Sequence, residues 1–170
     1  MKKILFMAVL MLTAALTLTS CGKDEPKQKT TAIMTYHIAL SQDLLDAANV
    51  FVQYKAENGR NVQEAILEPW WSKNVTSDKF PAEFGVKFTF SAKTEAELIK
   101  DKYDLSCELN FNCKTSKGAV YANTINVMED IKEPVAKKNV IKKLESYDGT
   151  TYGFKITEDG KPTIDNKMKF

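Results

Sequence analysis

Histidine occurs once and cysteine three times in 170 residues, and that scarcity removes several familiar site chemistries. Protein-bound zinc needs three or four Cys, His or carboxylate ligands at close spacing. His37 stands alone inside a predicted strand and reads as a sheet histidine. No Gly-rich phosphate loop, Ser-centred elbow or Cys-X-X-Cys pair is present, so nucleotide-binding, hydrolase and thioredoxin-like readings have no starting motif. The acidic pairs Asp43 with Asp46, Asp101 with Asp104 and Glu129 with Asp130 lack the spaced Asp/Asn/Gly pattern of a calcium loop and read as solvated turn residues. No catalytic residue, metal or cofactor is expected. Internal repeats and low-complexity tracts are also missing.

The N-terminus carries the most informative pattern. Lys2 and Lys3 precede an apolar run from Ile4 to Leu16, about 13 residues and too short to span a bilayer stably. Leu18-Thr19-Ser20-Cys21 follows directly. These four residues resemble the bacterial lipobox, which implies removal of residues 1–20 and a lipid on the Cys21 thiol. Two or three acyl chains would hold the protein firmly at a membrane, since each buried methylene contributes about 0.8 kcal/mol. Lys23-Asp24-Glu25 resembles the charged surface-export signals of Bacteroidota lipoproteins and implies an outer-membrane protein facing outward; a periplasmic orientation is the alternative. Removing residues 1–20 takes away two lysines and no acid, so 24 basic against 22 acidic side chains become 22 against 22. A neutral mature chain lacks the basic surplus used to neutralise nucleic-acid phosphates. Residues 22–32 contain no large apolar side chain and read as a disordered tether reaching roughly 35 Å when stretched.

From residue 33 onward the dominant period is two. Tyr103, Leu105, Cys107, Leu109, Phe111 and Cys113 alternate with polar residues, as on a strand with one buried face. Cys107 and Cys113 would lie roughly 20 Å apart on that strand, too far for a disulfide, and are expected to be free core thiols. The same period marks Val86–Phe90 and Tyr152–Ile156. Ile33–Leu40 and Asn49–Lys55 are rich in β-branched and aromatic residues, with a corner at 41–46 carrying Leu44 and Leu45 inward. Asn58-Gly59 marks a tight hairpin to a strand near Val62–Leu67. Lys117-Gly118 leads to one near Ala119–Val127, and Asp159-Gly160 with Pro162 closes a terminal hairpin. Pro134, the apolar set Val140, Ile141 and Leu144, and Gly149 predict one short helix over 134–146. The expectation is an all-β domain over 33–170, seven to eight antiparallel strands in two packed sheets. Lipobox and strand pattern together resemble the immunoglobulin-like sandwiches of exported Bacteroidota lipoproteins, without a family motif that transfers functional residues.

Trp70 and Trp71 are the candidate binding surface. Neighbours on an extended chain point to opposite faces, so one indole can enter the core while the other looks outward to stack on a sugar or anchor a protein. The alternative is that both rings cover the end of the core. The functional expectation is a lipid-anchored, non-catalytic display domain for a glycan or protein. An envelope enzyme or inhibitor with a loop-built site, and a structural subunit of a surface assembly, are the alternatives. Cys21→Ala, expressed in a bacterium that processes lipoproteins, is expected to lose both fatty-acid label and membrane attachment. An unlabelled native chain would overturn the anchor.

Overall fold

The computed structural model describes residues 29–170; the signal segment, Cys21 and the tether up to residue 28 lie outside the described residues. The first strand, β1 (Ala32–Leu40), buries Ala32, Met34, Tyr36, Ile38 and Leu40 and turns the intervening residues outward. Ser41 stops it. Its hydroxyl accepts from the Leu44 backbone N–H at 3.1 Å and starts the short helix α1 (Gln42–Ala47), satisfying a donor that the first helical turn leaves free. Leu44 enters the core and Leu45 packs beside it. The chain re-emerges as β2 (Ala48–Lys55), followed by β3 (Asn61–Ile66), β4 (Trp70–Ser77) and β5 (Ala82–Ala92). Further on come β6 (Lys102–Tyr103), β7 (Cys107–Thr115), β8 (Val120–Asn126), β9 (Val135–Ala136), α2 (Lys137–Glu145), β10 (Thr151–Ile156) and β11 (Pro162–Ile164).

These strands form an all-β architecture of antiparallel sheets. One sheet runs β4-β1-β7-β8, a second runs β11-β10-β5-β2-β3, and β6 pairs with β9. The buried faces of the two larger sheets share one core: the ring of Phe111 on β7 lies 4.2 Å from that of Phe154 on β10. Helix α2 adds Val140 and Leu144 to the same core, against β5. On the far side of the second sheet the C-terminal segment covers Gly85 and Gly153. Gly85 and Gly153 face each other across β5 and β10, and a Cβ on Gly153 would fall 2.3 Å from the Asp165 carbonyl oxygen and 2.9 Å from the Met168 Cβ. Only glycine allows that approach, and Met168 is buried by it.

The structure departs from the sequence expectation in several places. Eleven strands replace seven or eight, the excess including the two-residue β6 and β9 and the three-residue β11. The alternation from Tyr103 to Cys113 keeps its burial pattern but is broken into β6 and β7. At the break the Asp104 N–H donates to Asp43, its carbonyl accepts from the Ser41 hydroxyl, and its carboxylate accepts from the Ser106 N–H, so 104–106 bonds to the α1 corner. Helix α2 begins at Lys137, three residues late, because Val135 and Ala136 pair with Tyr103 and Lys102. With α1, the α-helices among the described residues number two, against the one expected. The β2–β3 turn is a 3-10 turn over Glu57–Gly59, closed by the Ala56 N–H on the Arg60 carbonyl at 2.7 Å, with Gly59 at φ 74°. Thr30–Ala32, assigned above to the tether, belong to the fold: Thr30 is buried and bonds Glu158, Thr31 exchanges bonds with Ser116, and Ala32 opens β1.

Both core cysteines are free and buried. Burial pushes the Cys113 thiol up to about 11 and Cys107 higher still, so both stay protonated and act as small apolar residues. Phe111 contacts Tyr121 on its own sheet and Phe154 on the other. Phe111→Ala is expected to cost about 3–5 kcal/mol in urea or thermal denaturation, whereas Phe111→Leu, which keeps most of the volume, is expected to cost less than about 2 kcal/mol.

Candidate functional site

The two tryptophans separate, as adjacent strand residues must. Trp71 turns inward at the edge where β4 of the first sheet meets β3 of the second. Its ring lies 5.6 Å from that of Tyr54, and its indole N–H donates to Glu64 at 3.0 Å. The same carboxylate accepts from the Tyr54 hydroxyl at 2.6 Å and the Lys73 ammonium at 2.7 Å. Glu64 therefore ties β2, β3 and β4 together and closes one side of the molecule. Burial pushes the Glu64 carboxyl up, but the bonds from Lys73, Tyr54 and Trp71 outweigh it and hold the group below its ordinary 4.5. Trp71 belongs to this closure.

Trp70 is 75 % exposed. It lies on the outer face of the first sheet, where the pairing register places residues in cross-strand rows. Trp70 begins a row through Ala39 and Glu108 to Asn126; the next is Ser72, His37, Asn110 and Thr124; the third is Asn74, Thr35, Asn112 and Ala122. A fourth holds Thr76, Ile33, Lys114 and Val120. Only Glu108 and Lys114 are charged, although 27 % of the whole chain is. The face is instead dominated by amides, hydroxyls and small side chains. Some are linked: the Asn110 amide donates to Glu108 at 2.7 Å, and the Thr124 hydroxyl donates to Asn110. The Asn112 side-chain oxygen is buried without a hydrogen-bond partner. His37 sits in the second row as an exposed sheet residue.

The side opposite Glu64 is open. Between β8 and the β10–β11 hairpin, with the C-terminal turn of α2 beneath, lies a cleft of about 560 Å³. Tyr121, Tyr152 and Phe154 contribute rings to it, and Glu129, Asp130 and Asp148 contribute carboxylates. This volume falls in the usual range for small-molecule sites. Sequence reading missed the cleft because its walls come from segments distant along the chain. The available signal was Tyr147 and Tyr152 bracketing a polar turn next to a strand.

Of the acidic pairs, Asp43 and Asp46 converge on the Lys100 ammonium, at 2.6 Å each. The cation between them is thus the protein's own. Asp104 is spent on the β6–β7 break, and Glu129 with Asp130 reach the cleft. No helix among the described residues is long and apolar enough to cross a membrane. Neither a protein-family model nor a curated protein sequence matches the chain.

Glu64 generates a pH prediction. A carboxyl whose folded value lies below its unfolded one stabilises above the unfolded value, here 4.5, and loses that contribution as pH falls through the folded value. With side chains 33 % and 37 % exposed at Glu64 and Lys73, solvent screening limits the pair to about 1 kcal/mol. Urea denaturation from about pH 7 to about pH 3 is expected to show a smaller acid-side loss in Glu64→Gln than in the native chain. Parallel curves would show that the closure is electrostatically neutral.

Proposed function

We propose that this protein is a lipid-anchored outer-membrane display domain, exposed at the cell surface, that binds a glycan on the outer face of its first sheet. Its two layers are read as an immunoglobulin-like sandwich in layering only. The constant-type immunoglobulin order places the first, second, fifth and fourth strands in one sheet, whereas β4-β1-β7-β8 is this chain's order. Trp70 carries the reading. An indole standing free at the end of a sheet face nearly devoid of charge offers an apolar plane beside rows of hydroxyl and amide groups, the combination that the CH face and hydroxyl rim of a sugar require. The Trp71 ring is half-buried and bonded to Glu64, which leaves Trp70 as the stacking group.

The point at which the chain enters the first sheet supports display. The chain enters β1 at Ala32, opposite Ser77, while Trp70 pairs with Ala39 at the other end. Seven residues of strand separate the two positions along β1, roughly 23 Å. A lipid on Cys21 would therefore hold the domain by one end and present Trp70 at the other.

A glycan array probed with the full chain, together with pull-down from outer-membrane extract, tests the reading. Trp70→Ala is expected to weaken glycan retention by about three- to tenfold, the loss of one stacking contact, with unchanged thermal stability. Trp71→Ala is expected to lower stability instead. Equal retention by the native chain and Trp70→Ala would overturn the site.

A further inference from the structure

The open edge carries a second site, distinct from the Trp70 face. We infer that the cleft between β8 and β10 binds a small organic cation, an ammonium group on an apolar body. Two independent features of the lining point there. The first is its rings: Tyr121, Tyr152 and Phe154 stand on two different sheets, with Tyr121 and Phe154 5.9 Å apart in edge-to-face contact. Tyr121 and Tyr152 are half-buried, so part of each ring faces the cleft. Aromatic faces attract cations and shelter an apolar body. The second is charge. Three carboxylates, Glu129, Asp130 and Asp148, share the lining with one ammonium, Lys143. None of the three takes part in an ion pair among the described residues, whereas Asp43, Asp46, Glu64, Asp78, Glu83, Glu158, Asp159 and Asp165 all do.

The local surplus of negative charge is therefore uncompensated in a mature chain whose basic and acidic residues balance. It favours a cation in the cleft and disfavours an anion. A cleft of about 560 Å³ holds a molecule the size of an amino acid or dipeptide with water around it. A neutral sugar would use the carboxylates only as hydrogen-bond acceptors, so its binding would not depend on cationic charge.

Choline is the probe, titrated calorimetrically into the full chain in uncharged maltoside micelles beside its neutral isostere 3,3-dimethyl-1-butanol. Choline is expected to bind with a Kd of about 1 mM or tighter and at least about fivefold better than the isostere. Glu129→Gln/Asp130→Asn, at two exposed positions, is expected to weaken choline at least about fivefold at unchanged thermal midpoint. Lys143→Ala, which removes the opposing charge, is expected to tighten it. Equal binding of the isostere, no choline binding at about 10 mM, or indifference to all three charge changes would overturn the inference. So would displacement of choline by a glycan retained through Trp70, since the cleft would then belong to that surface.

Discussion

A slip of one residue in the pairing of β1 with β7 would turn Met34, Tyr36 and Ile38 into solvent and His37 into the core. The two strands are aligned over their whole length, Ala32 opposite Thr115 through Leu40 opposite Cys107, and both alternate buried and exposed residues throughout. Everything on the outside of the first sheet depends on that register. With the β1–β4 pairing that sets Trp70 opposite Ala39, it gathers the amide and hydroxyl rows beside an outward Trp70 and leaves the thiols of Cys107 and Cys113 inside. The register is held by apolar burial: fully buried Met34, Ile38 and Leu109 each contribute about 1.5–3 kcal/mol relative to exposure. An exposed ion pair contributes about 0–1 kcal/mol and would not hold a strand in place.

The two edges where the sheets meet are finished differently. At the β3–β4 edge, Glu64 on β3 accepts from three donors on β2 and β4, and the Trp71 ring fills the space beside Tyr54. A partly buried carboxylate satisfied by three charge-assisted or neutral bonds is stable where one left alone would be costly. At the β8–β11 edge no comparable polar tie closes the gap among the described residues, and the aromatic residues line a cleft. One edge therefore serves cohesion and leaves the other free for a ligand. The C-terminal segment finishes the structure by crossing Gly85 and Gly153 on the outside of the second sheet.

Much of the strand pattern was legible because a half-buried strand leaves a period-two trace. Tyr103 to Cys113 is the clearest case, and its burial alternates as read even though the backbone breaks at Asp104–Ser106. That break was not legible, since it depends on Asp43 and Ser41, some sixty positions away in sequence. The same reason hid the start of α2: a propensity argument favours Pro134 at a first turn, but pairing of Val135 with Tyr103 competes for those residues. Turn glycines were read well at Gly118 and Gly160, where positive φ is a local demand. Of the candidate surface, the opposite orientation of Trp70 and Trp71 follows from the strand alone, but which one faces water does not.

By itself the sequence determined the properties that arise from neighbours along the chain: a short apolar run ahead of Cys21, alternating strands, glycine turns and small apolar thiols on a strand face. Tertiary structure decided which strands pair, which tryptophan is free, and that Glu129, Asp130 and Asp148 share a cleft with four aromatic side chains. The division has a physical cause. Strand periodicity and turn geometry are set by sterics within a few residues, whereas pairing order and side-chain convergence minimise exposed apolar area and unsatisfied polar groups over the whole chain at once.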